Sequence, residues 1–194
     1  PQMCPCAPAQ TKIGYRRQRV RMAEVELPAL VAGLAAGVAA GGTRSLRKAA
    51  ATSADALAQI AQGSPELARR VAEVPGALPM LVAAMAAGGA AAEPSLKGAA
   101  LHSALALSEI AFAGPEFAHR VADVPRALAI LVSALAVGNA TATPSLRDTA
   151  GHTAVVLRMV AETGQELTRR LAEVPGALAA LAAAVASGGA AAAP

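Results

Sequence analysis

The chain has 194 residues and a formal net charge of +4, and 55% of its residues are hydrophobic but only 2% are aromatic. Most of the hydrophobic residues are alanine, the best helix former, whereas strands favour β-branched and aromatic side chains. The composition therefore argues for closely packed helices and against a β-sheet protein. Residues 23–194 hold 12 basic and 13 acidic residues, so the body of the chain lacks the charge bias of a nucleic-acid-binding or membrane-surface protein.

The positive charge is concentrated in residues 1–22, which we expect to form a basic N-terminal arm. The arm has no acidic residue and five cations, Lys12, Arg16, Arg17, Arg19 and Arg21. Two interpretations are open for it. The arm contacts an RNA or an acidic protein surface, or it is a solvated basic leader without a ligand.

The only two cysteines, Cys4 and Cys6, also lie in this arm. They exclude a disulfide framework for the rest of the chain, which fits an intracellular, reducing compartment, either cytoplasm or organelle. Two thiolates are too few for a closed zinc site, so we expect no metal there. No uninterrupted apolar run reaches the roughly 18 residues of a membrane-spanning helix, and no span is predicted.

Self-similarity at an interval of 50 residues is the strongest feature of the sequence. The string Ala72–Leu78 recurs as Ala122–Leu128 and again as Ala172–Leu178. A glycine that we expect to stop a helix recurs in the same phase, at Gly88, Gly138 and Gly188. A fixed period of this length indicates stacked helical units.

Each unit is predicted to contain three helices, at 64–74, 76–87 and 94–112 in the best-defined copy. Ser64 is a good N-cap, Pro65 suits the first helical position, and Pro75 ends the first helix. The corresponding third helices are predicted at 43–62 and 144–162. The chain thus divides into the arm (1–22), an array (23–190) and a low-complexity tail (190–194). The array comprises a partial first unit (23–62), two full units (64–112 and 114–162) and a partial last unit (164–188).

The string GSPELARRVAEVPGALPMLVAAMAAGG…PSLKGAALHSALALSEIAFAG resembles the armadillo repeat. Its most specific part is Gly76–Val82, and the resemblance covers roughly residues 16–190. HEAT repeats are the alternative, but they have two helices and lack this string. The resemblance implies an all-α fold, a right-handed α-solenoid of three-helix repeats. The 50-residue unit is longer than usual in the family, and the surplus lies in the loops at 88–93 and 138–143, which we expect to be exposed and mobile.

In armadillo proteins the third helices line a concave groove that binds partner chains. The positions implied here are Thr52, Asp55, Gln59, His102, Leu105, Glu109, His152, Val155 and Met159, which we call the third-helix face. Members that resemble nuclear-import receptors carry Trp and Asn at two of the three positions in each unit. This chain has neither there, so we reject that function for it.

His102 and His152 stand at equivalent positions of successive units, where packed helices are roughly 10 Å apart. The interpretation we favour is that they are helix-surface histidines kept by duplication, and the alternative is contact with a partner. A metal site is not expected, because no carboxylate or cysteine stands at ligand spacing.

The short first helices carry basic residues that could indicate a phosphate-binding surface. These residues are Arg69, Arg70, His119, Arg120, Arg169 and Arg170. We expect instead that intrahelical pairs satisfy them. The predicted pairs are Glu66–Arg70, Glu116–Arg120, Glu166–Arg170, Arg69–Glu73, His119–Asp123 and Arg169–Glu173.

No motif predicts catalysis. The chain has no glycine-rich phosphate loop, no nucleophile with a nearby base and no pair of acids in an apolar setting. We therefore expect a non-catalytic protein, with no cofactor and no small-molecule substrate. The predicted function is a protein-interaction scaffold, or a subunit of a larger complex, that binds protein partners through the third-helix face. The alternative is an RNA- or ribonucleoprotein-associated subunit that uses the basic arm.

Overall fold

The computed structural model describes residues 26–39, 42–141 and 143–191, with side chains as far as residue 186. Within these ranges the protein is all-helical. The helices are α1 (Glu26–Val38), α2 (Arg44–Gly63), α3 (Pro65–Glu73), α4 (Ala77–Ala87), α5 (Pro94–Phe112), α6 (Pro115–Asp123), α7 (Ala127–Asn139), α8 (Pro144–Thr163), α9 (Gln165–Ala172) and α10 (Ala177–Ala191). The five helices predicted with explicit bounds correspond to α2, α3, α4, α5 and α8, and each end agrees within one residue.

The start of α3 follows the predicted local chemistry. The hydroxyl of Ser64 accepts a hydrogen bond from the backbone N–H of Leu67 at 3.2 Å, and Pro65 opens the helix. The helix ends at Glu73, because Val74 adopts an extended conformation before Pro75. These residues explain why a helix of only nine residues has sharply defined ends.

A tight turn with a left-handed residue joins each first helix to the second. Gly76 has φ of +81° and Gly176 has φ of +80°, and Arg126 occupies the equivalent place with φ of +65°. The turn bends the chain by 91° between α3 and α4 and by 93° between α6 and α7. The recurring sequence thus produces a recurring corner.

Two helices run past the glycines that we expected to stop them. Gly88 follows the end of α4 as predicted, but Gly138 lies inside α7, and α10 continues through Gly188. Gly138 is buried, and a β-carbon there would overlap the side chain of Ala150 in α8. This glycine therefore serves the close approach of two helices, and it is not a stop signal.

Helices that are 50 residues apart pack against one another. α5 contacts both α2 and α8, and α7 contacts both α4 and α10. The core repeats with the same period: Leu57, Leu107 and Leu157 are all fully buried. Burial of such a leucine contributes about 1.5–3 kcal/mol, so each copy of the period supplies its own part of a continuous core.

No single helix of the described residues is long and apolar enough to cross a membrane. Two pairs reach the required length and composition only when their members are taken together, α3 with α4 and α6 with α7, and each pair contains the corner described above.

Candidate functional site

The third-helix face is accessible over its whole extent. Thr52 and Gln59 are exposed, and the other seven members of the face are half-buried. They occupy equivalent positions on α2, α5 and α8, with α5 packed between the other two. The face therefore offers nine side chains from three neighbouring helices.

The part of the face between α2 and α5 is polar and internally connected. Gln59 Nε2 donates to Asp55 Oδ2 at 2.9 Å, and His102 Nδ1 lies 3.4 Å from Asp55 Oδ1. The second contact becomes an ion pair when His102 is protonated, and it joins two successive units. All three residues were predicted members of the third-helix face, but their contacts with one another were not predicted. The 50-residue period contained a signal for this contact, because His102 lies three residues before the position of α5 that is equivalent to Asp55.

The part of the face between α5 and α8 is apolar. Leu105 stands where α2 has Asp55, and it packs with Met159 against the core while remaining half-exposed. Val155 lies on the same face. The side chains of His152 and Glu109 make no hydrogen bond or ion pair with any described residue. The face thus changes from polar to apolar along the array, and two of its polar groups have capacity for an external partner.

The cations on the first helices all have partners among the described residues, but only in part through the predicted pairs. Three predicted contacts form: Glu66–Arg70 at 3.7 Å, His119–Asp123 at 2.8 Å, and Arg169–Glu173. Arg169 also pairs with Glu166 three residues before it. The predictions of Glu116–Arg120, Glu166–Arg170 and Arg69–Glu73 were wrong, because these arginines reach acceptors on other helices.

The acceptors are backbone carbonyls near the ends of neighbouring helices. Arg120 donates to the carbonyl oxygen of Ala72 at 2.9 Å, and Arg170 donates to that of Ala122 at 3.0 Å. Arg69 donates twice to the carbonyl oxygen of Ala113, at 3.0 and 3.3 Å. The last carbonyls of a helix lack intrahelical partners and attract cations. The arginines therefore link units, which the sequence pattern alone did not reveal.

Arg170 also holds the carboxylate of Asp123, with Nη1 2.9 Å from Oδ1. This hydrogen bond is the main reason that the pKa of Asp123 is below its ordinary value, and His119 lowers the pKa further. On α9 the hydrogen bond from Arg169 lowers the pKa of Glu166 and raises the pKa of Arg169 itself. These shifts arise from exposed ion pairs, which is typical of a structural role.

The described residues contain no group of three or more His, Cys, Asp or Glu side chains that could hold a metal ion. The basic arm, with Lys12, Arg16, Arg17, Arg19 and Arg21, lies outside the described residues, as do Cys4 and Cys6. Its two interpretations stay predictions.

The chain matches no family model, no curated protein and no solved structure. The resemblance to armadillo repeats therefore rests on the residues quoted above.

Proposed function

We propose that the chain is a right-handed α-solenoid of armadillo-like repeats and acts as a non-catalytic protein-interaction scaffold. In this proposal the partner binds across the third-helix face of α2, α5 and α8. The support for the repeat architecture is the 50-residue spacing of equivalent helices and the contacts between them.

The observation that carries the proposal is the half-exposed apolar group Leu105, Val155 and Met159 beside the unpaired side chains of His152 and Glu109. Apolar side chains that remain in contact with water on a continuous surface favour association. Because this part of the face is apolar, it is better suited to bind an amphipathic helix than a charged extended peptide. The polar contact of Asp55 with His102 borders this group and would set the position of the partner.

The test introduces a charge into the apolar part of the face. Proteins that co-purify with the intact chain are identified, and their retention is then measured on Leu105→Arg and Val155→Arg. An arginine forced into an apolar interface without a partner costs several kcal/mol, so retention should fall by at least about tenfold. Circular dichroism should show unchanged helix content, because both residues are only half-buried.

Val185→Arg is the matched control. Val185 lies on α10, outside the face, and 77% of its surface is exposed. The same change from an apolar residue to arginine there should leave retention unchanged. Equal loss on Val155→Arg and Val185→Arg would contradict binding through the third-helix face.

The second candidate, an RNA-associated subunit, is supported by the five cations and the lack of acids in residues 1–22. Binding through phosphate contacts weakens steeply with salt. A partner that is lost between low and moderate salt, and on deletion of residues 1–22, but is retained by Leu105→Arg would favour this function over the scaffold.

A further inference from the structure

A cavity of about 220 Å³ opens between α4 and α7, with α5 and α8 behind it. Its inner wall is apolar and includes Met85, Ile130 and Leu146. No residue of the third-helix face lines it. The cavity is therefore independent of the surface that we propose for protein partners.

The polar side chains around the cavity are departures from the repeat. There are three of them: Arg126, Ser133 and Thr149. Arg126 stands where the flanking units have Gly76 and Gly176, and Ser133 stands where they have Ala83 and Ala183. Thr149 corresponds to Ala49 and Ala99. Every polar side chain of the lining thus replaces glycine or alanine, and the replacements converge on one cavity.

The next gap along the array is bridged at the corresponding point. Between α7 and α10, Asn139 Nδ2 donates to the carbonyl oxygen of Ala180 at 3.2 Å. The residue equivalent to Asn139 in the preceding unit is Gly89, which lines the cavity and has no neighbour within 4 Å of a β-carbon position. The absence of a side chain at residue 89 leaves the mouth of the cavity open.

Arg126 combines an uncompensated charge with an unfavourable backbone. Its φ of +65° is in the left-handed region, which is unfavourable for a residue with a β-carbon but not for glycine. Its guanidinium makes no hydrogen bond or ion pair with any described residue. Strained residues of this kind concentrate at functional sites, and here the strain places a free cation at a cavity.

We propose that this cavity binds a small aliphatic carboxylate. Its carboxylate pairs with Arg126 at the exposed mouth, and its hydrocarbon chain fills the apolar interior. The hydroxyl of Ser133, two helical turns along the same side of α7, is exposed at the mouth as a second polar group. The hydroxyl of Thr149 is already used, since it donates to the carbonyl oxygen of Ser145 at 2.7 Å. The interior of the cavity therefore requires no polar group on the buried part of the ligand.

The cavity volume of about 220 Å³ leaves room for a short aliphatic chain. Octanoate, a soluble carboxylate with such a chain, is the probe. A ligand of this size in a preformed apolar site should bind with a dissociation constant on the order of 0.1–1 mM.

The experiment titrates the intact chain with octanoate and follows saturation by NMR shifts or calorimetry. Wild type should bind with one site. Arg126→Gly, which restores the residue of the flanking units, should bind on the order of tenfold more weakly, because a charge-assisted hydrogen bond is lost. This variant keeps the fold, since glycine relieves the left-handed conformation. Gly89→Asn should also weaken binding, because its side chain would occupy the mouth.

Two controls separate carboxylate recognition from general affinity. Arg158→Gln changes an exposed arginine of α8 that does not line the cavity, and it should bind octanoate as wild type does. 1-Octanol has the chain without the charge and should bind on the order of tenfold more weakly. The proposal is overturned by the absence of saturable binding to wild type, by equal binding of octanoate to Arg126→Gly, or by equal binding of 1-octanol.

Discussion

A β-carbon on Gly88 would overlap the β-carbon of Ala100 and would lie 2.9 Å from the carbonyl oxygen of Leu96. The end of α4 thus rests directly on the backbone of α5. The same contact recurs between Gly138 of α7 and Ala150 of α8. Because glycine meets alanine at each contact, the second and third helices of a unit approach more closely than larger side chains would allow.

Gly138→Ala should destabilise the protein, although alanine is the better helix former. Helix propensity favours alanine over glycine by about 1 kcal/mol. Overpacking costs about 1–3 kcal/mol, and here the added methyl group would also meet the immovable carbonyl oxygen of Leu146. We expect a net loss of up to about 2 kcal/mol in the free energy of unfolding, measured by urea denaturation.

Gly151→Ala is the matched control for this prediction. Gly151 lies in α8, is exposed, and has no atom within 4 Å of a β-carbon position. Only the propensity acts there, so this variant should gain about 0.5–1 kcal/mol. If both substitutions changed stability in the same direction, close helix packing at Gly138 would not be the reason for the glycine.

The sequence revealed the helices because their signals are local. The cap at Ser64 and the break at Pro75 act within a few residues, so α3 could be placed within one residue. Gly138 was misassigned because a glycine that ends a helix and a glycine that admits a neighbouring helix look alike in one dimension. Only the approach of α8 distinguishes them.

The contacts that join different units were not predicted from the sequence. They include the pair Asp55–His102 on the third helices and the hydrogen bond from Arg120 to Ala72 on the first helices. From the sequence, Glu116 was the local partner predicted for Arg120. In the structure, Arg120 donates instead to the carbonyl oxygen of Ala72 at the end of α3. An acceptor created by folding cannot be recognised in a local pattern of charges.

Arg126→Gly should stabilise the protein. Relief of the left-handed backbone contributes roughly 1–2 kcal/mol, and the greater entropy of glycine in the unfolded chain offsets about 0.5–1 kcal/mol of it. We expect a net gain of up to about 1.5 kcal/mol in the free energy of unfolding, measured by urea denaturation. Gly76→Ala introduces a β-carbon at the equivalent left-handed position. It should lower the free energy of unfolding by about 1 kcal/mol, although there is open space for the added methyl group. A neutral result at both positions would argue against the left-handed turns.

Arg120→Met should cost about 1 kcal/mol by removing the hydrogen bond to the carbonyl oxygen of Ala72 and the cation at the end of α3. Methionine retains much of the side chain's apolar length. Arg44→Met is the comparison, since Arg44 is exposed in the first turn of α2 and makes no hydrogen bond or ion pair with the described residues. Its loss should be close to neutral. Thermal unfolding of the two variants would show no difference if the Arg120 contact contributed nothing.

Asp123→Asn should destabilise the protein in a pH-dependent way. The hydrogen bond from Arg170, followed by the contact with His119, lowers the pKa of this carboxyl from its ordinary value of 3.8. A lowered folded-state pKa gives stability that is fully present above the ordinary value and is lost as the pH falls through the folded-state pKa. Because the carboxylate is half-exposed, solvent screening keeps the effect below about 1 kcal/mol at neutral pH.

The measurement is urea denaturation of wild type and Asp123→Asn at pH 7, 5 and 3. Wild type should be the more stable at pH 7 and 5, and the difference should shrink at pH 3 as its carboxylate begins to protonate. Added salt should reduce the difference at pH 7, because exposed ion pairs are screened. Asp148→Asn, at an exposed carboxyl of α8 without a partner among the described residues, is the comparison and should leave the free energy of unfolding at pH 7 close to that of wild type. A difference for Asp123→Asn that stays constant from pH 7 to pH 3 would mean that side-chain shape, and not the pairing with Arg170, determines the stability contributed by this residue.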